Sequence, residues 1–349
     1  MRRRDWLAGF GAGALLGRGA PIVLAQAPRD LTVVSFGGAY QDAQRDALFR
    51  PWMTEREARM LEETWDGGLA TLRQRAQAGT WDLVQVPGHE LLIGCAEGLF
   101  ERMDWAAIGG RDSYIPAAVQ DCGVGASRHA YVLAWDRART QGAPAGWADL
   151  FDLERFPGRR ALRRGPRITL EIALLADGVA PADLYTVLAG AEGQDRAFRR
   201  LRSIRAETVW WERGAQPSAW LAGGEVALVV APNGRIAVAN AVDGRDFGLA
   251  WAQNLSAMDS WAILRGSPNR VRALDFLAYA GRPAVQARLA QRILHGVTVR
   301  EAAALIPAPV QASLPTAPSA LAQAVPIDEA FWAQHLEALG RRFDDWLGA

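Results

Sequence analysis

Short apolar runs that read as strands alternate along this chain with longer stretches of helical spacing, and that alternation constrains its fold more than any other feature. "LTVVSF" (31–36), "WDLVQV" (81–86), "HAYVLAW" (129–135), "EVALVVA" (225–231) and "DSWAIL" (259–264) are strand-like. "LATLRQRAQAG" (69–79), "ITLEIALLAD" (168–177), "RVRALDFLAYAG" (270–281) and "AVQARLAQRIL" (284–294) are helix-like. Strands alternating with helices predict an α/β architecture. With 349 residues, half of them hydrophobic, the chain can build two domains with substantial cores. Glycine and proline gather where the strands end, in "SFGGAY", "VQVPGHE", "GPRITLE", "APNGR" and "LHGVTV". Ligands of open α/β sheets bind beyond the carboxyl ends of strands, so convergence of these turns would make one cleft.

The charge balance, 39 basic against 38 acidic residues, gives no electrostatic case for nucleic acid or an acidic polymer. Residues 1–25 read as an export signal: a basic "MRRRDW", a short apolar "LAGFGAGALLG" and small residues in "VLAQA", with cleavage after Ala25. Arg3-Arg4 resembles a twin-arginine signal; an ordinary Sec signal with extra arginines is the other reading. Either route takes the mature protein out of the cytoplasm. Gly9, Gly11 and Gly13 mimic a dinucleotide loop, but no strand precedes them. Two cysteines in an exported chain predict one disulfide, Cys95–Cys122. Its loop closure is worth about 3–4 kcal/mol in the chain-entropy model. A catalytic thiol is the alternative, although neither cysteine has a histidine near it in sequence.

Enzymatic signatures are missing. The chain carries no G-x-S-x-G, H-E-x-x-H, Walker or C-x-x-C motif, and His89, His129, His295 and His335 show no metal-ligand spacing. No catalytic residue, metal or cofactor is therefore assigned. The feature that invites a binding role is "LSAMDSWAIL" (255–264), which sets Asp259 in an otherwise strand-like run. Asp259 and Trp261 share a strand face. Together they would suit an ammonium, held by a charge-assisted bond and an aromatic ring. The plainer reading makes Asp259 a strand-start aspartate satisfied by backbone N–H groups. Trp332, Leu336, Leu339, Phe343 and Trp346 recur at helical spacing near the C-terminus and read as a packing face.

Taken together, "SFGGAYQDAQRDALFRPW", "ETWDGGLATLR", "GCAEGLFERMDW", "WADLFDLERFPGRRALRRGPRITLEIALLADGV", "VWWERGAQPSAWLAGGEVAL", "NGRIAVAN" and "DSWAILRGSPN" resemble the solute-binding subunits of spermidine/putrescine-type ABC importers. The resemblance runs from about residue 30 to the C-terminus. It implies a type II periplasmic-binding fold, two α/β lobes joined by crossing strands around a ligand cleft. Lobe 1 would comprise 28–132 and 256–310, lobe 2 133–255, and a helical segment 311–349 would pack on them. The chain would cross near Trp135 and return near Trp251–Met258. It also implies a periplasmic monomer that closes on a small amine-bearing solute and docks on separate permease subunits, with no chemistry of its own.

At the family's ligand positions the resemblance implies Asp259 as the amine anchor, with Trp261 beside it. Gly38, Ala39 and Tyr40 match the first cleft loop, Gly88 and His89 the second, and Arg167 and Thr169 a lobe-2 wall. Gln216, Asn233 and His295 match further polar positions. The chain departs from the family pattern at Pro87-Gly88-His89, at Pro232 and at His295, and it lacks the acidic residues of spermidine binders near Arg167. The resemblance implies a polyamine such as putrescine or spermidine as the ligand; the alternative is a zwitterionic or carboxylate solute, such as an amino acid derivative or opine-like compound, which one acidic anchor facing a possible cationic wall would suit better than a naked polyamine. More remote readings are an exported enzyme on a two-lobed scaffold and a ferric-ion binder. The latter needs clustered tyrosines, and none of the five here are adjacent.

Overall fold

The apolar runs form the centre of one nine-stranded sheet. β1 (Leu31–Ser35) is followed by β2 (Met60–Thr64), β3 (Leu83–Pro87), β4 (Val124–Asp136), β5 (Arg160–Arg163), β6 (Thr208–Trp211), β7 (Leu228–Pro232), β8 (Phe247–Ile263) and β9 (Val325–Pro326). In this computed structural model, which describes residues 29–348, the sheet order is β2-β1-β3-β8-β4-β7-β5-β6, with β9 on β8. The export-signal expectation, with its cleavage after Ala25, lies outside the described residues. β1, β3 and β7 are buried on both faces, which is why their sequences are continuous apolar runs. β2 lies at the sheet edge with the polar sequence MLEET, half-exposed, and so has no apolar signature.

β4 and β8 are long antiparallel partners that run through both lobes. The first part of β4 and the end of β8 join β1, β2 and β3 as lobe 1, while Tyr131–Trp135 pair with β7 in lobe 2. Between the lobes the register breaks. Tyr131 lies opposite Leu255, but Leu133 lies opposite Ala250, so β8 bulges over 251–254. Gln253 at the bulge has φ 52°. The bulge is pinned by Trp147 Nε1, which donates to the Gln253 carbonyl at 2.9 Å, and by Asn254 Nδ2, which donates to the Ala320 carbonyl at 2.9 Å. Trp135, expected at the crossing, is buried in the lobe-2 core instead, and the β4 crossing falls nearer Tyr131.

Each lobe has its own core. The C-terminal helix, Glu329–Gly348, lays Trp332, Leu339, Phe343 and Trp346 into the lobe-2 core, with Leu336 partly buried. Its apolar stripe is a packing face. Cys95 and Cys122 form a disulfide with Cα atoms 5.7 Å apart, tying the helix Gly88–Ala96 to the loop before β4. A bonded pair leaves no thiol for nucleophilic chemistry.

Candidate ligand-binding site

β8 carries Asp259 to the cleft edge of lobe 1. Its cross-strand neighbour on β3 is Pro87, which has no N–H to donate. Among the described residues no hydrogen bond reaches either Asp259 oxygen; His129 Nδ1 lies 3.4 Å away. The expectation of a strand-start aspartate capped by backbone N–H groups is therefore corrected. Burial pushes the Asp259 carboxyl up to about 8, with Arg167 only partly offsetting it. Beside it, Glu90 accepts from the Gly68 N–H at 2.7 Å through Oε1, while its Oε2 is buried with no partner among the described residues. Both acids line a cavity of about 100 Å³ between the lobes.

Rings form the floor of this cavity. β4 alternates His129 and Tyr131 toward it, two residues apart on one strand face. His129 stacks on His295 at 5.4 Å between ring centroids, and His295 lies 5.1 Å from Tyr40. The Tyr40 hydroxyl sits 3.0 Å from Ser127 Oγ and accepts from Gln85 Nε2 at 2.5 Å. Burial drives His129 down to about 3, with the Arg167 charge adding to it, and drives His295 well below its ordinary value. Both imidazoles are neutral at neutral pH, so neither supplies Asp259 with a cation.

The lobe-2 wall is basic. Arg163 ends β5, Arg167 follows it, and Arg235 projects from the helix Asn233–Val242. Arg163 is half-buried and has no ion-pair partner among the described residues. Arg167 is buried and donates from Nη2 to Glu329 Oε1 at 2.6 Å, while its Nε has no partner among the described residues. Burial works against the Arg167 charge, but the Glu329 carboxylate outweighs it and holds the guanidinium charged. The turn presenting Arg167 is strained: Ile168 has φ 78°, a conformation costly for a β-branched residue, held by its N–H donating to Glu171 Oε2 at 2.7 Å. Arg235 donates across the cleft to the carbonyls of Phe36 at 3.0 Å and Gly37 at 3.3 Å, so the lobes are closed on each other. Unpaired acid on lobe 1 thus faces unpaired base on lobe 2.

Of the residues expected at the site, Tyr40, Arg167, Asp259 and His295 meet in this cavity. The others do not line it. Gly38 and Ala39 open the helix Gly38–Gln44 beside Arg235. Gly88 backs onto Glu329, and His89 is turned from the cavity with Nδ1 3.3 Å from a Glu329 oxygen. Thr169 donates to the Arg163 carbonyl at 2.8 Å and so supports the basic wall from behind. Gln216 accepts from the N–H groups of Glu212 and Arg213 at 2.9 and 2.7 Å, folding its own loop. Asn233 bridges the Ala130 N–H at 3.0 Å and the Leu294 carbonyl at 2.8 Å. Trp261 shares the face of Asp259 but lies two residues deeper on β8, in the lobe-1 core, edge-on to Phe276 at 5.9 Å. Its expected role as a ligand ring is corrected to packing.

Sequence reasoning missed Glu90, His129, Tyr131, Arg163, Trp211, Glu212 and Arg235. Glu90, Glu212 and Arg235 stand within the very blocks "VPGHE", "VWWERGAQ" and "PNGR", one to four residues from the residue chosen. The alternation of His129 and Tyr131 along β4 was the one signal that could have found that pair.

Comparison with known proteins agrees with this geometry. Residues 56–318 match the family model of bacterial extracellular solute-binding proteins. The γ-aminobutyric acid-binding protein of Pseudomonas aeruginosa is 41% identical over 320 residues, 91% of each chain. The solved structure of the Atu4243–GABA receptor is 32% identical with a TM-score of 0.80, covering 91% of this chain and 98% of that one. MotA from A. tumefaciens B6 in complex with glucopine is 28% identical with a TM-score of 0.85, covering 91% and 100%. The spermidine/putrescine binder PotD from Streptococcus pneumoniae, at 14% identity and a TM-score of 0.71 over 92% and 100% of the two chains, shares the fold alone. The polyamine-type resemblance is thus a distant one, and the nearer relatives are solute-binding proteins rather than enzymes. With the family match spanning most of the described residues and a 41% identical relative covering nine-tenths of the sequence, the chain belongs to the bacterial extracellular solute-binding proteins of ABC importers.

Proposed function

We propose that this protein captures a small zwitterionic solute, an amino-carboxylate of the γ-aminobutyrate or opine class, and delivers it from the periplasm to the permease of an ABC importer. The observation that carries this reading is Asp259, a buried carboxyl that faces the cavity with no hydrogen bond among the described residues. A solute ammonium is the group that completes it, because a buried carboxylate is costly without a cation or donors. Opposite, the Arg163 and Arg167 guanidiniums that line the cavity suit a carboxylate. The relatives named for γ-aminobutyrate and glucopine support the same class. A polyamine fits less well, since its second ammonium would meet those arginines. The protein would act as a monomer without a cofactor, closing about the β8 bulge.

A thermal-shift panel on the mature protein tests this. It holds γ-aminobutyrate, glucopine, putrescine, spermidine, butyrate and n-butylamine, run on wild type, Asp259→Asn and Arg167→Gln. A solute at a hundredfold its Kd adds about 2.7 kcal/mol of stability. Wild type responds to an amino-carboxylate, Asp259→Asn loses that response, and Arg167→Gln weakens it. A shift with putrescine or spermidine and none with either zwitterion would refute the reading.

A further inference from the structure

We propose that Glu329, the first residue of the C-terminal helix, is the positioning residue that aims Arg167 at the solute carboxylate and couples that contact to lobe 1. The inference rests on the zwitterion reading for the role of Arg167. The C-terminal helix buries its apolar stripe in lobe 2 and also lies against the lobe-1 helix Gly88–Ala96, and at its first residue Glu329 makes polar contacts to both lobes. Oε1 accepts from Arg167 Nη2 at 2.6 Å, and Oε2 accepts from the His89 N–H at 3.1 Å, at the start of the lobe-1 helix Gly88–Ala96. His89 Nδ1 lies 3.3 Å from the same oxygen. One carboxylate therefore bridges a cleft arginine and the first turn of a helix in the opposite lobe.

Gly88 provides a second, independent observation. Its backbone is not in the left-handed region, so its conformation does not call for glycine. A Cβ there would lie 2.6 Å from Glu329 Cγ, closer than packed carbons approach. The missing side chain makes the seat that Glu329 occupies. The carboxylate is also held rigidly. Asp328 Oδ1 caps the helix by accepting from the Phe331 N–H at 2.8 Å, and Trp332 donates to Glu171 Oε1 at 2.6 Å inside lobe 2. Burial pushes the Glu329 carboxyl up, but Arg167 and His89 outweigh it and hold it at about 2. Glu329 is the only carboxylate paired with Arg167 among the described residues. Without it, that buried guanidinium would lose its fixed edge, and the side chain lining the cavity would lose its orientation.

Calorimetry with two probes tests this on the mature chain: γ-aminobutyrate, which carries a carboxylate, and n-butylamine, which does not. Glu329→Gln keeps the shape and removes the charge, while Gly88→Ala keeps the charge and fills its seat. In both variants γ-aminobutyrate binds at least about tenfold more weakly and n-butylamine changes by less than about threefold, a split that general loosening of the fold would not produce. In ligand-free protein the His89 amide exchanges faster in both variants, reading the bridge to lobe 1 directly. Wild-type affinity for γ-aminobutyrate in both variants, while Arg167→Gln loses it, overturns the role of Glu329 and leaves the zwitterion reading standing. Equal loss of both probes, or unchanged His89 exchange, also overturns it. If Arg167→Gln itself binds γ-aminobutyrate normally, or wild type takes neither probe, the zwitterion reading is at fault and this inference falls with it.

Discussion

Asp259 titrates where a solute would act on it. With burial holding its carboxyl at about 8, the ligand-free site is mostly protonated at neutral pH. An ammonium entering beside it favours the carboxylate and expels that proton. Affinity for γ-aminobutyrate should therefore rise by up to about tenfold per pH unit between pH 6 and 8, with close to one proton released per solute bound. Titrations in buffers of different ionisation enthalpy count that proton, and a flat affinity with no release would contradict the anchor role. The ligand-free protein carries the opposite signature. A folded value of about 8 against an ordinary 3.8 means that Asp259 stabilises fully below about 4 and loses that contribution as pH rises through 8. Asp259→Asn abolishes the titration. Urea midpoints at pH 5 and pH 8 should show wild type losing ground to the variant as pH rises.

At the scale of elements, legibility followed burial. β1, β3 and β7, enclosed on both faces, announced themselves as apolar runs, and the C-terminal helix did so through its stripe. β2, half-exposed at the sheet edge, and the four-residue β5 and β6 left no such trace. β8 was legible only over its last residues. Its first half, "FGLAWAQNL", is mostly apolar, but it shows no strand alternation because it bulges where it passes between the lobes. The site suffered from the same limit. Its loops could be found from sequence, but which side chain of a turn enters the cavity depends on helix starts and strand ends that are resolved only in three dimensions. So Asn233 was chosen where Arg235, two residues on, lines the cleft. The bulge makes its own prediction. Gln253 holds φ 52°, which glycine adopts freely and a β-branched residue resists. Gln253→Val should cost about 1–2 kcal/mol in chemical unfolding, while Gln253→Gly should stay within about 1 kcal/mol of wild type. Equal midpoints for the two variants would show that the bulge relaxes instead of storing the strain.

The whole molecule is arranged so that closure depends on what fills the cleft. Closing places Asp259 and Glu90 on one wall and Arg163 and Arg167 on the other, out of bulk water and incompletely paired among the described residues. The closed state is favoured only by as much as a solute compensates those groups beyond what it does in the open one. Arg235 contributes a contact that exists whatever the solute. It donates to the Phe36 and Gly37 carbonyls of lobe 1, and Gly214 clears its path, since a Cβ there would lie 2.7 Å from Arg235 Nε. Arg235→Met keeps the apolar stem and removes both interlobe hydrogen bonds. Bonds to charged groups are worth about 1.5–3 kcal/mol, so affinity should fall by about ten- to a hundredfold. Because the loss acts on closure, n-butylamine and γ-aminobutyrate should weaken alike, unlike the selective effect at Glu329. Small-angle scattering reads the same equilibrium independently. Wild type should contract when γ-aminobutyrate is added, and the variant should contract only at proportionally higher concentration. Full contraction at the wild-type concentration would mean that the clasp is held by other contacts, with Arg235 serving only as cleft lining.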